Sequence, residues 1–183
     1  MSLDRFSGDP KTVWLSEDGA DRRMRLLQDF WYEDPTGKRW LAPQGSAIDG
    51  ASIPQALWSS VGSPYTGNYR RASIVHDMAC SDPAISREDA DEMFYSACLT
   101  GGCSTLQAKL LYAGVRVGSW ATSQPTLADL ALSKFKFVYK LPGQQTAEET
   151  IVRGKFVSIA HDLSDSSDDF ATVKELVDKH LSI

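Results

Sequence analysis

Long apolar runs are missing from these 183 residues. No stretch approaches the roughly 18 consecutive apolar positions a membrane helix needs, so no transmembrane segment is expected. The start of the chain, MSLDRFSGDPK, has no apolar core, so no signal peptide is read there and a cytoplasmic location is expected. Cysteine is scarce. Cys80, Cys98 and Cys103 are too few for a disulfide scaffold, and the odd count leaves at least one thiol free. Reduced thiols in a cytoplasmic compartment are the simplest reading, with a Cys98–Cys103 bridge across Gly101-Gly102 left open. Concentrated positive charge is also absent. The net charge is -5, and the pairs Arg22-Arg23 and Arg70-Arg71 stand alone, which argues against nucleic-acid binding. No Gly-rich phosphate loop, G-x-S-x-G elbow or H-E-x-x-H motif occurs.

What is present suits a soluble α+β protein with a sizeable core, 42% hydrophobic and 23% charged. KTVWL reads as a strand, and RMRLLQDFWYEDPTGKRWLAP as a hairpin turning at Asp34-Pro35-Thr36-Gly37. Ser52 and Gln55 make a capping-box pattern for a short helix from about Ile53 to Val61. Longer helices are expected from Asn68 to Cys80, from Arg87 to Leu99 after a Ser86 cap, and from Ser104 to Trp120. The last carries Leu106, Leu110, Ala113 and Val117 as its apolar stripe, and Gly114 and Gly118 one turn apart for a close neighbour. Short connections make these an antiparallel three-helix unit, packed with a small antiparallel β-sheet. Residues 1–125 read as that core. Residues 126–183 read as an extension on the same domain: strands KFKFVYKL and VRGKFVSIAHDL, a solvated or mobile acidic stretch DLSDSSDD, and an amphipathic helix FATVKELVDKHLSI.

The chemistry concentrates in IVHDMACSDPAISREDADEMF. On a helical wheel, His76 falls at the edge of the apolar stripe centred on Val75, and Asp77 lies beyond it. On the following helix Asp91 shares the apolar face with Ala90, Phe94 and Cys98. A carboxylate buried there is costly unless paired, so Asp91 requires a partner. Arg87, one turn earlier, or Arg71 on the preceding helix is the ordinary one. His76, across the helix pair, is the one with chemical consequences, since a carboxylate behind an imidazole orients a general base. A satisfied structural histidine is the plain alternative, as is a helix-start role for Asp89. A Cys3His zinc site from His76, Cys80, Cys98 and Cys103 and a Cys80 nucleophile beside His76 are weaker readings. His161-Asp162 repeats the dipeptide beside the acidic stretch and reads as incidental.

IDGASIP, NYRRASIVHD, SREDADEMF and LLYAGVRVGSW, in that order over residues 40–120, resemble DUF1353, a family of phage and prophage proteins of unknown function. The matching positions are Asp49, Ala51, Ser52 and Pro54; Ala72, His76 and Asp77; Arg87, Ala90, Asp91 and Phe94; and Tyr112, Gly114, Val115, Arg116 and Trp120. HDMAC stands where that family usually carries an aromatic, as in HDWLY. The resemblance implies a phage-type protein, virion-associated or in the host cytoplasm, with virion or accessory proteins as partners. A looser similarity is to phospholipases A2, which pair a His-Asp dipeptide with an aspartate on an antiparallel helix. It implies His76 as catalytic base, Asp91 as its orienting partner, and Asp77 and Asp49 as ligands of calcium or another divalent metal. Two functions follow: a hydrolase-like site for an ester, lipid or cell-envelope substrate, or a non-enzymatic phage protein in which the same residues form a buried polar network.

Overall fold

The computed structural model describes residues 4–16, 23–63, 65–127 and 145–182. The α+β class holds. The chain divides into two compact units, Met1–Ala51 with Pro64–Ser104, and Ser52–Ser63 with Thr105–Ile183.

The first unit carries two antiparallel sheets. Strands β1 (Arg5–Phe6), β4 (Phe30–Glu33) and β5 (Arg39–Ala42) form one, in the order β1-β4-β5. Strands β2 (Thr12–Trp14), β3 (Met24–Leu26) and β6 (Ala47–Ile48) form the other, in the order β2-β3-β6. The expected hairpin is β4–β5, with Tyr32 opposite Trp40; Met24–Leu26 instead pairs with β2 and β6. Its turn is built by Asp34, whose Oδ1 accepts from the Thr36 and Lys38 backbone N–H groups and whose Oδ2 accepts from Trp40 Nε1. Gly37 closes it at φ 85°, a conformation glycine adopts freely. Strict alternation sends Phe30, Tyr32, Trp40 and Ala42 inward. That apolar face packs on helix α2 (Arg70–Ser81), which in turn pairs with α3 (Arg87–Thr100). Ser86 caps α3 as expected, accepting from the Asp89 N–H.

The second unit is helical. A 3-10 turn (Gln55–Leu57) leads into α1 (Trp58–Val61). The Ser52/Gln55 box does not form: Pro54 occupies the cap position and no side chain caps the turn. Helix α4 (Thr105–Ser123) packs against α5 (Ala147–Ser164) and α6 (Phe170–Leu181). Its buried run is continuous from Leu111 to Gly118, whereas Leu106, assigned to the apolar stripe, is 46% exposed. The two glycines do admit a close neighbour. A Cβ on Gly118 would lie 2.4 Å from the Ser52 carbonyl oxygen, and one on Gly114 would lie 3.4 Å from Ile53.

One expectation for the C-terminal third changes. VRGKFVSIAHDL is helical, part of α5, and Thr146 with Glu149 forms a complete capping box at its start. Burial falls on Val152, Phe156, Ile159 and Leu163, a helical spacing, and Ile151 and Val157 face outward. KFKFVYKL lies outside the described residues. The terminal helix is present, with Val173, Val177 and Leu181 buried along one stripe.

Candidate functional site: a sealed His–Asp pair

Helix α2 is buried without interruption from Ala72 to Asp77, because the β4–β5 sheet covers one side and α3 another. His76 therefore reaches α3. Its Nε2 lies 2.8 Å from Asp91 Oδ1, and neither side chain has any solvent exposure. With a carboxylate opposite, Nε2–H donates and Asp91 accepts. The Phe94 ring closes one side of the imidazole at 4.7 Å between centroids. Arg87 also reaches the same oxygen, Nε to Oδ1 3.6 Å. Two of the partners considered for Asp91 are thus present, and the histidine is the nearer. Burial pushes the His76 imidazole towards neutrality, but the adjoining Cys80 sulfur and the Asp91 hydrogen bond outweigh it and raise the imidazole to about 9. The ring is an imidazolium at neutral pH.

Cys80 sits one helical turn after His76 and is half-buried. Its sulfur lies 3.5 Å from Nε2 and 3.8 Å from Nδ1. A thiol nucleophile activated through a histidine needs the sulfur and the carboxylate on opposite ring nitrogens. Here both crowd Nε2, so the arrangement is not a relay. The Cys3His grouping does not assemble either. Cys98 and Cys103 pair with each other, Cys98 pushed well up by burial and by donating its hydrogen to Cys103, and Cys103 lowered by accepting it. All three thiols are free, so no Cys98–Cys103 bridge is present.

Asp77 points away from His76, as adjacent helical positions must. It is buried, and its Oδ2 accepts the backbone N–H of Asp49 at 2.9 Å. The Asp49 carbonyl in turn accepts from the Tyr65 hydroxyl at 2.6 Å. The Asp-Gly turn, with Gly50 at φ 91°, is thereby tied to the middle of α2. Asp49 and Asp77 do come together, through the backbone of one and the carboxylate of the other. Sequence reasoning missed Tyr65, which no periodic pattern marks. Among the described residues, the one group of three His, Cys, Asp or Glu donors close enough to share an ion is His76, Cys80 and Asp91. Asp89 stands in the first turn of α3, as expected of a carboxylate favoured there.

These four positions, Asp49, His76, Asp77 and Asp91, all fall inside residues 24–115, which match the family model described as "Protein of unknown function (DUF1353)". The chain belongs to the DUF1353 family. Similar proteins include two from Sinorhizobium fredii (strain NBRC 101917 / NGR234). "Uncharacterized protein y4jT" is 36% identical over 107 residues, covering 58% of this chain and 32% of that protein. "Uncharacterized protein y4iH" is 28% identical over 182 residues, covering 94% of this chain and 75% of that protein. This DUF1353 chain therefore spans about a third of y4jT. No solved structure gives a significant match. No helix among the described residues of this DUF1353 protein is long and apolar enough to cross a membrane.

Proposed function

We propose that this DUF1353 protein is a non-enzymatic accessory or structural protein of the phage or prophage type, working in the host cytoplasm or on the virion. His76, Asp91, Asp77 and the Asp49 turn form its internal polar latch. The observation that carries this reading is the hydrogen-bonded His76–Asp91 pair with both side chains wholly out of solvent. A general base must be reachable by the proton it removes, and an imidazolium already holding its proton does not take another. Buried and mutually neutralised, the pair instead ties α2 to α3, while the Asp77 carboxylate ties α2 to the Asp49 turn. The resemblance to phage and prophage proteins supports the setting.

A hydrolase-like reading is favoured by one specific feature. Asp91 comes from the helix after His76 and engages Nε2, so Nδ1 is the nitrogen left to activate a water, acting on an ester, lipid or cell-envelope substrate. In that reading Asp77 and Asp49 hold a divalent metal such as calcium. Calcium takes six to eight oxygens. Asp77 Oδ2 and the Asp49 carbonyl already serve the turn, and neither residue belongs to a three-donor cluster among the described residues. As arranged, these residues do not fit calcium.

His76→Ala separates the two. The latch reading expects a large fall in melting temperature, and no hydrolysis of esters, phospholipids or peptidoglycan fragments by the parent protein. Hydrolysis by the parent that disappears in a folded His76→Ala variant overturns it.

A further inference from the structure

We propose that His76 Nε2, Cys80 Sγ and Asp91 Oδ1 form a binding site for a zinc-class transition-metal ion, which takes the place of the proton inside the latch. The proposal rests on the latch reading and adds to it an ion with stated ligands.

Three features carry it. The first is convergence: the three donor atoms lie within 4.8 Å of one another. Zinc bonds of about 2.0–2.3 Å place tetrahedral donors roughly 3.3–3.6 Å apart. Nε2 and Sγ stand at 3.5 Å, already at that spacing. Nε2 and Oδ1 stand at 2.8 Å, the length of the hydrogen bond an ion would replace, and must part by about half an ångström. The second is donor type. A thiolate, an imidazole and a carboxylate on one ion suit zinc and its neighbours rather than calcium or magnesium, which take oxygen. Two anionic donors also neutralise a dication. The third is the surroundings. Arg87 Nε is buried, 3.6 Å from Asp91 Oδ1, with no hydrogen-bond partner among the described residues. As Asp91 turns from His76 towards the ion, this N–H is placed to hold the carboxylate, the role outer partners play around metal ligands.

Loading releases the proton held at His76 Nε2 to solvent, and Cys80 binds as its thiolate. Cys80 is the one half-buried member of the three, so the ion enters from its side. Three protein ligands leave a fourth tetrahedral position for water or an incoming ligand.

The test uses the full chain, stripped with a chelator and titrated with Co2+ as an optical probe. The expected result is one equivalent of cobalt with intense visible bands of tetrahedral type and a thiolate-to-cobalt charge-transfer band. Zinc displaces both. Cys80→Ser, a small change at a half-buried position, removes the charge-transfer band, and Cys98→Ser keeps it. No cobalt band in the parent, or a charge-transfer band that survives Cys80→Ser, overturns the metal site. The latch fails by a different readout: metal-free His76→Ala melting at the same temperature as the metal-free parent. Circular dichroism confirms that each variant is folded.

Discussion

The chain contains the dipeptide His-Asp twice, and the two copies show how much of a residue's chemistry belongs to its surroundings. His76-Asp77 sits in the middle of α2, enclosed by a sheet and a second helix; its histidine finds a carboxylate 15 positions away in sequence and its aspartate finds the backbone of a turn 28 positions back. His161-Asp162 ends α5 with its histidine 81% exposed. There one hydrogen bond is between neighbours, His161 Nδ1 to Asp162 Oδ1 at 3.2 Å, and the other, His180 Nε2 of α6 to Asp162 Oδ2 at 2.8 Å, crosses between helices at the surface. The distance of 2.8 Å recurs in both settings. In water the two partners gain little from meeting, because solvent already satisfies each. In the sealed pair solvent cannot stand in for either partner, so removing one leaves a buried charge behind.

The sharpest way to break this comparison is to remove one carboxylate from each copy. Asp91→Ala leaves an imidazole and the Arg87 guanidinium facing an empty apolar pocket, and the expected loss of folding stability is on the order of 3–5 kcal/mol. Asp162→Ala is expected to leave the urea midpoint close to the parent value. Equal midpoints for the two variants would mean the burial difference has no energetic weight.

A second test, of intermediate size, changes only pH. His76 titrates near 6.5 when unfolded and near 9 in the chelator-stripped folded protein, so folding strengthens its hold on the proton. The stabilisation is complete below about pH 6.5 and is lost as pH rises through 9, amounting to on the order of 3 kcal/mol. Urea unfolding at pH 6 and pH 9.5 measures it. His76→Gln removes the titrating group and should flatten the decline. A parent midpoint that does not fall across this window contradicts an imidazolium in the latch.

The sequence made the sealed pair visible because an aspartate flanked by Ala90, Phe94 and Cys98 on a helical face has to be answered by a cation, and the two neighbouring candidates were already in view. Local signals of that kind held elsewhere: the Asp34 turn, the Ser86 cap, and the small residues Gly114 and Gly118 under Ile53 and Ser52. Contacts made by the backbone stayed hidden. The Asp49 N–H to Asp77 bond joins a turn to a helix with no periodicity linking them. Helix α5 was obscured for another reason. Ile151 and Val157 supply apolar residues at strand-like intervals, yet they are exposed surface residues, and only the four buried positions reveal the helical repeat. The contact of Cys80 was also hidden, since a sequence shows that it lies one turn from His76 but not that its sulfur stands beside the nitrogen Asp91 occupies.

The smallest effect expected is at His180. Its bond to Asp162 joins α5 to α6, and the hydrogen bond from His180, followed by that from His161, holds the Asp162 carboxyl below its ordinary range. Such a pair still stands in solvent, where at 0.15 M salt charges are screened over about 8 Å. His180→Gln should therefore lower the melting temperature slightly at low ionic strength, and the difference should fade when salt is raised to about 1 M, where screening acts within roughly 3 Å. The sealed copy should behave otherwise. Salt ions do not enter a site without solvent exposure, so the loss caused by Asp91→Ala should persist at every ionic strength. Melting curves of both variants across a salt series decide the matter: a His76–Asp91 effect that fades in parallel with the His180 effect would mean water reaches the interior pair, and the two copies of His-Asp would then differ in degree rather than in kind.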